Sequence, residues 1–158
     1  MNESATAEQY PAQSRIHWAA WVTRLAWLVG LVVAGYLTVE HYTASATLVC
    51  SSGAIVNCQQ VTTSSYSLLF GVPVALLGLL YFVAGSIFVW LLAPRWPAGR
   101  VHAAGTLVTG AGVAFVLYLI WAEIQLGQIC SWCTVIHVLI IGLFAYYLTS
   151  LLLARLDA

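Results

Sequence analysis

Four apolar stretches of about 20 residues, near positions 18–40, 70–92, 101–125 and 132–154, leave this chain of 158 residues little freedom in how it can fold. A helix of that length satisfies its own backbone hydrogen bonds and reaches across the hydrocarbon of a bilayer, so the sequence predicts four membrane-spanning helices. The charge content agrees, because 6% of the residues are charged against roughly 25% in a soluble domain. The expected fold is all-α, an integral membrane four-helix bundle with a long external loop between helices one and two that carries cysteines. Residues 1–16, "MNESATAEQYPAQSRI", are polar and read as a poorly ordered N-terminal tail ahead of a single domain over 17–158. The apolar segments run on to the C-terminus, which is not the pattern of a cleaved leader followed by a soluble chain.

Arginine is the only strong base, and Arg15, Arg24, Arg95, Arg100 and Arg155 are balanced by Glu3, Glu8, Glu40, Glu123 and Asp157. No basic surface for nucleic acid exists. With four spans, both termini and the 94–100 connection share one side, which then holds every arginine; by the positive-inside rule that side is the cytoplasm. Cys50, Cys58, Cys130 and Cys133 consequently lie outside or at the outer interface, the oxidising side in a bacterium or in the endoplasmic reticulum. A bacterial inner membrane is the expected location. Arg24 sits near the end of span one, where it can snorkel, and Trp18, Trp21 and Trp27 read as interfacial anchors. Residues 41–69 are too long a segment for a mere link.

The pair in "ICSWCTVIH", residues 129–137, admits three chemistries. Two structural disulfides are one. A zinc site of Cys130, Cys133, His137 and a loop cysteine is the second, against which stands the spacing of eight between Cys50 and Cys58. A c-type haem is excluded, since no histidine directly follows Cys133. The third is a relay, in which the loop pair exchanges with a fixed pair that passes two electrons to something lipid-soluble. Cys-x-x-Cys at a helix start is the arrangement of thiol exchange sites, because the unpaired N–H groups there favour the attacking thiolate. Cys133 and His137 are one turn apart on the same side of the helix and project into the upper membrane.

The loop "CSSGAIVNCQQVTTSSYSLLFGVPVALLGLLYF" together with "CSWC" resembles the vitamin K epoxide reductase family, in particular its bacterial members. The features that carry it are the two loop cysteines with seven residues between them, Ser64 six after the second, "FGVPVALLG" opening span two, and the Cys-x-x-Cys opening the last span. The resemblance covers about residues 18–154 and implies a four-helix bundle enclosing one quinone, whether menaquinone, ubiquinone or phylloquinone. It implies Cys130 and Cys133 as the active pair, with Cys133 nearest the quinone. Cys50 and Cys58 become the shuttle, Cys50 taking electrons from a thioredoxin-like, DsbA-like protein and Cys58 exchanging with Cys130. Ser64 falls where the family has a Ser or Thr covering the pocket. Many bacterial relatives carry a fused thioredoxin-like domain, so here that partner is expected as a separate molecule. Where animal enzymes have tyrosine four residues after the second active cysteine this chain has His137, which favours quinone over vitamin K epoxide. The DsbB type of thiol oxidase carries its two kinds of cysteine pair in the reverse order.

The remaining residues read as follows. His137 is a hydrogen-bond donor to a quinone carbonyl or an ordinary interhelical partner. Glu123, Glu40 and His41 end spans three and one, where charged groups meet water. Ser64 caps a helix, covers the pocket, or does both. Gly78, Gly85, Gly105, Gly110 and Gly112 let helices approach closely. His17 and His102 lie at the far end from the cysteines. The expected activity is thiol:quinone oxidoreduction supporting disulfide formation in exported proteins. Its competitors are reduction of vitamin K epoxide by luminal thiols and a non-catalytic membrane subunit that binds quinone or metal.

Overall fold

The computed structural model describes residues 3–43, 50 and 55–156, with side chains described from Trp18 onward. The side chains of Arg15, His17 and Asp157 lie outside the described residues. The helices are α1 (Glu3–Thr43), α2 (Cys58–Thr63), α3 (Val74–Ile87), α4 (Ala98–Leu126) and α5 (Ser131–Leu156). Among the described residues four segments are long and apolar enough to cross a membrane: Trp18–Thr43, Val74–Arg95, Ala98–Leu126 and Ser131–Leu156. The protein is an all-α integral membrane bundle. The expected N-terminal tail differs, for the backbone of α1 is already helical at Glu3. Ala, Glu and Gln recur through its first turns, and they are among the best helix formers.

The second span starts at Val74 rather than near residue 70, because "LLFGVP" folds as a hairpin. In it β1 (Leu68–Leu69) pairs antiparallel with β2 (Val72–Pro73). The turn residues Phe70 (φ 52°) and Gly71 (φ 82°) both take positive φ, the geometry that matches strand twist in a two-residue hairpin. Beyond Ile87, α3 continues through a π turn, Phe88–Leu92, and a 3-10 turn, Ala93–Arg95, ending at the short connection that carries Pro94 and Pro97. Arg24, Arg95, Arg100 and Arg155 therefore sit at one end of the bundle, and Cys58, Cys130 and Cys133 at the other.

α1 lies along α3, α4 along α5, and α1 also touches α5. In lipid no hydrophobic force drives helices together, so close packing of large against small residues carries the association. The ring of Phe82 occupies the place where Gly30 would carry a Cβ, Trp27 does the same at Gly85, and Tyr147 at Gly105. The first two contacts are reciprocal between α1 and α3. Trp27 is consequently core and not an interfacial anchor: it is 1% exposed and meets Phe82 edge-on, with ring centroids 5.6 Å apart. Trp18 and Trp21 are exposed, as anchors are. The Arg24 guanidinium lies over the rings of Trp21 and Trp90, 5.4 and 5.0 Å from their centroids, so two indole faces hold the charge at that end.

Gly112 and Gly110 follow the same packing rule, against Tyr81 and Phe144. Gly78 does not, since an added Cβ there meets nothing within 4 Å. It borders a cavity instead. We therefore expect Gly85→Ala to destabilise the protein by about 1–3 kcal/mol through overpacking against Trp27, and Gly78→Ala to leave stability near wild type. Thermal unfolding of the two variants in one detergent checks this; equal losses at both positions would remove the glycine–aromatic contact as the cause.

Candidate functional site

The site begins with the way α5 starts. A helix N-terminus leaves four N–H groups without intrahelical partners, and beside a membrane cavity little water is at hand to take them. Cys130 occupies the cap position, its carbonyl accepting the first helical bond from the Thr134 N–H at 2.9 Å. Its own sulfur does the work of a capping oxygen: Cys130 Sγ accepts from the Cys133 N–H at 3.3 Å. The N–H of Cys130 donates in turn to Glu123 Oε1 at 3.1 Å. This is the logic of a capping box with the carboxylate supplied by the preceding helix. Glu123 reaches that place because α4 ends at Gly127, whose left-handed backbone (φ 62°) turns the chain back sharply.

The loop is tied to the same point. Asn57 N–H donates to the Ile129 carbonyl at 3.1 Å, and Ile129 N–H to the Ile55 carbonyl at 2.9 Å, which makes a single parallel bridge between Val56 and Ile129. Cys58 opens α2 two residues beyond the bridge and Cys130 follows it by one, so one register sets both sulfurs at the end of the bundle. Asn57 caps α2 by accepting from Gln60 N–H at 3.0 Å. Cys58 and Cys130 are 1% and 0% exposed. Cys50 and Cys58 are disulfide-bonded, with Cα atoms 6.1 Å apart, while Cys130 and Cys133 are free thiols.

Below the cap, helices α1, α3, α4 and α5 enclose a cavity of about 360 Å³. Cys133 lines it with Ile136 and Ile140 from α5, and Ser64, His41 and Glu123 contribute polar groups. The size falls in the range of small-molecule sites, about 300–1,000 Å³, and the predominantly apolar wall suits the ring of a quinone. Ser64 borders the cavity as expected, but it caps no long helix. It ends α2, and its hydroxyl donates to the Val61 carbonyl at 2.9 Å.

His137 is not among the residues that line the cavity. It is 5% exposed, and its Nε2 has no hydrogen-bond partner among the described residues. Helical geometry gives the reason: Ile136 and Ile140 lie about 60° and 20° to one side of Cys133, and His137 lies about 40° to the other. Glu123, Glu40 and His41 also depart from expectation. Glu40 and Glu123 are 8% and 9% exposed, and His41 donates from Nδ1 to the Thr62 carbonyl at 3.1 Å. The missed signal was an ionisable residue in the last turn before a Cys-x-x-Cys. Among the described residues no three His, Cys, Asp or Glu side chains converge as metal ligands.

Four spans, a disulfide-bonded pair at one end of the bundle and a dithiol bordering an apolar cavity define a membrane oxidoreductase. The family model for the vitamin K epoxide reductase family matches residues 21–148, most of the chain, and the protein belongs to that family. Proteins of the family act on quinones, which agrees with the cavity. A comparison with curated proteins found no match.

The Cys130 thiol lies below the ordinary thiol value, chiefly because the Cys133 thiol hydrogen-bonds to it. Burial opposes this, the Cys133 N–H assists it, and the Glu123 charge opposes it again. The thiolate of Cys130 should thus be present at lower pH than that of a free cysteine. Cys133→Ala should move its titration upward, read by thiolate absorbance with Cys50 and Cys58 replaced by serine. An unchanged midpoint would mean that the Cys133 thiol does not set it.

Proposed function

We propose that the protein is a thiol:quinone oxidoreductase that takes electrons from a separate thioredoxin-like protein and passes them through Cys50 and Cys58, then Cys130 and Cys133, to a membrane quinone. Disulfides in exported proteins are the product. The carrying observation is that Cys133 borders the apolar cavity while its partner Cys130 is fixed beside the loop bearing Cys58. We take the cysteine end of the bundle to face outward from a bacterial inner membrane, since the described arginines gather at the opposite end.

The thiolate of Cys58 attacks Cys130 of the oxidised fixed pair. The Cys130–Cys133 bond breaks, a Cys58–Cys130 bond forms, and Cys133 leaves as thiolate beside the cavity. Cys50 then attacks Cys58 and releases Cys130, so the loop pair ends oxidised and the fixed pair reduced. A Cys50–Cys58 disulfide with free Cys130 and Cys133 is the product of that exchange. A quinone accepts two electrons and two protons; the chain's part is to bind it among apolar side chains, exclude water and hold the Cys133 thiol at the cavity edge with Cys130 beside it.

Quinone reduction by the purified protein, with a reduced thioredoxin-like donor, is the direct test. Cys133→Ala should lower it to background without loss of thermal stability. Cys50→Ser should stop the protein donor yet spare a small permeant dithiol that reaches Cys130 and Cys133 directly. Retained turnover in Cys133→Ala, or equal failure of both donors in Cys50→Ser, would sink the relay.

In Cys133→Ala the Cys130 thiolate can still attack Cys58 of the Cys50–Cys58 disulfide, forming a Cys58–Cys130 bond and freeing Cys50 as thiolate, and the Cys133 thiol that would release this bond in the reverse direction is gone. Cys133→Ala should therefore accumulate a Cys58–Cys130 disulfide, found as a cross-linked peptide pair by non-reducing mass spectrometry. Recovery of Cys50–Cys58 pairs alone, with the donor active, would reverse the proposed order of exchange.

A further inference from the structure

The polar groups around the cavity differ in whether their protons are free to move. Thr62 donates to the Cys58 carbonyl at 2.9 Å and Ser64 to the Val61 carbonyl at 2.9 Å. Ser67 donates to the Ser64 carbonyl at 2.7 Å, and Tyr81 to the Val108 carbonyl at 3.2 Å. Each hydroxyl has one proton, and in these four it is held by a backbone oxygen. Among the described residues, besides the Cys133 thiol, only Glu123, His41 and Tyr66 remain as cavity groups that can give or take a proton. The Nδ1 proton of His41 is held by the Thr62 carbonyl. Glu123 alone among the three is bonded to the fixed cysteine pair, through the Cys130 N–H at 3.1 Å.

A buried carboxyl that touches Cys130 on one side and borders the cavity on the other joins the two places between which protons must pass. We propose that Glu123 is the proton carrier between the Cys130–Cys133 dithiol and the quinone. This rests on the thiol:quinone reading above. When the fixed pair is oxidised, both S–H bonds break, one S–S bond forms, and two electrons and two protons reach the two quinone oxygens. Glu123, ionised at the start, takes the Cys130 proton and gives it up to a quinone oxygen. The Cys133 proton is the second, and Glu123 ends ionised as it began. Among the described residues the other titratable groups around it are Cys130 at the head of α5, Cys133 of α5, His41 of α1, Tyr66 between α2 and β1, and Tyr81 of α3.

Glu123→Gln separates carrying a proton from holding the backbone, because a glutamine oxygen still accepts from the Cys130 N–H but does not titrate. Quinone reduction by E123Q should fall at least tenfold, within the range of about 10²–10⁴ for general acid–base groups or just below it. The acidic limb of the wild-type pH profile, where a protonated Glu123 cannot accept, should disappear. Formation of the Cys58–Cys130 disulfide in the Cys133→Ala background should be unaffected by E123Q, since that exchange does not use the cavity. Without any quinone, the infrared band of a protonated carboxyl, identified by its absence in E123Q, should titrate over the pH range of that limb. Absence of any such titrating band would overturn the proposal.

Wild-type rate and pH profile in E123Q would overturn the proposal, as would equal loss of the mixed disulfide, which marks a positional role. An acidic limb that survives E123Q arises from another group, and loss of rate in Tyr66→Phe but not in E123Q makes Tyr66 the proton donor; either result overturns it. Absence of quinone reduction in the wild type removes the thiol:quinone reading itself, which is a different outcome.

Discussion

The hydrogen bond from the Cys133 N–H to the Cys130 sulfur is the contact on which the rest of the site depends. At the start of a membrane helix the free N–H groups need an acceptor, and this sequence offers a sulfur in place of the usual Ser, Thr or Asp oxygen. The bond that lets α5 begin is thus also the bond that favours a thiolate at Cys130. Glu123 completes the arrangement by taking the N–H of the cap residue itself. Both bonds require that α4 end and α5 begin within a few residues of each other, which Gly127 permits by its left-handed backbone. Fold and chemistry are joined here at the level of individual donors and acceptors.

Rigidity below this point comes from aromatic rings seated on glycine, and it makes the cavity possible. Trp27 and Phe82 lock α1 to α3, and Tyr147 locks α5 to α4. These contacts lie nearer the arginine end, and toward the cysteine end α2 and the turn that follows it border the cavity. Tyr66 in that turn meets Trp121 edge-on at 5.5 Å, and its carbonyl accepts from the Tyr118 hydroxyl at 3.4 Å, which fastens the cap to α4. The cavity thus lies among the four long helices and the residues from Val61 to Ser67 that border it.

Much of this was legible in the sequence, and what was not has identifiable causes. The spans followed from apolar length alone, and two cysteine pairs at one end followed from the placement of the arginines. Burial within a span is not legible in that way, because a lipid-facing tryptophan and a core tryptophan read alike; Trp27 reads as an anchor by its position, yet it fills the space above Gly85. Gly78 has the same composition-level meaning as Gly85 and the opposite environment. His137 shares a helical side with Cys133, but the cavity is centred on Ile136 and Ile140, and a rotation of about 40° is enough to remove it. Glu123 and His41 read as charged groups at helix ends. Their burial depends on the loop folding back over them, and residue spacing carries no trace of that closure.

The placement of the two pairs also bears on the direction of electron flow. Stabilising a thiolate stabilises the reduced form of its pair and so raises the tendency of that pair to accept electrons. Cys130 has the helix N-terminus and the Cys133 thiol to favour its thiolate. Cys58, the first residue of α2, heads a helix of only six residues whose capping acceptor is the Asn57 side chain, not a sulfur. Of the two pairs, the fixed one therefore has the stronger support for its reduced state, which favours the proposed direction of transfer from the loop toward the cavity. The Val56–Ile129 bridge supports that proposal, since it ties the segment bearing Cys58 to the segment bearing Cys130. In the proposed relay the segment that follows Cys58 would both border the cavity, through Val61, Thr62 and Ser64, and deliver its electrons.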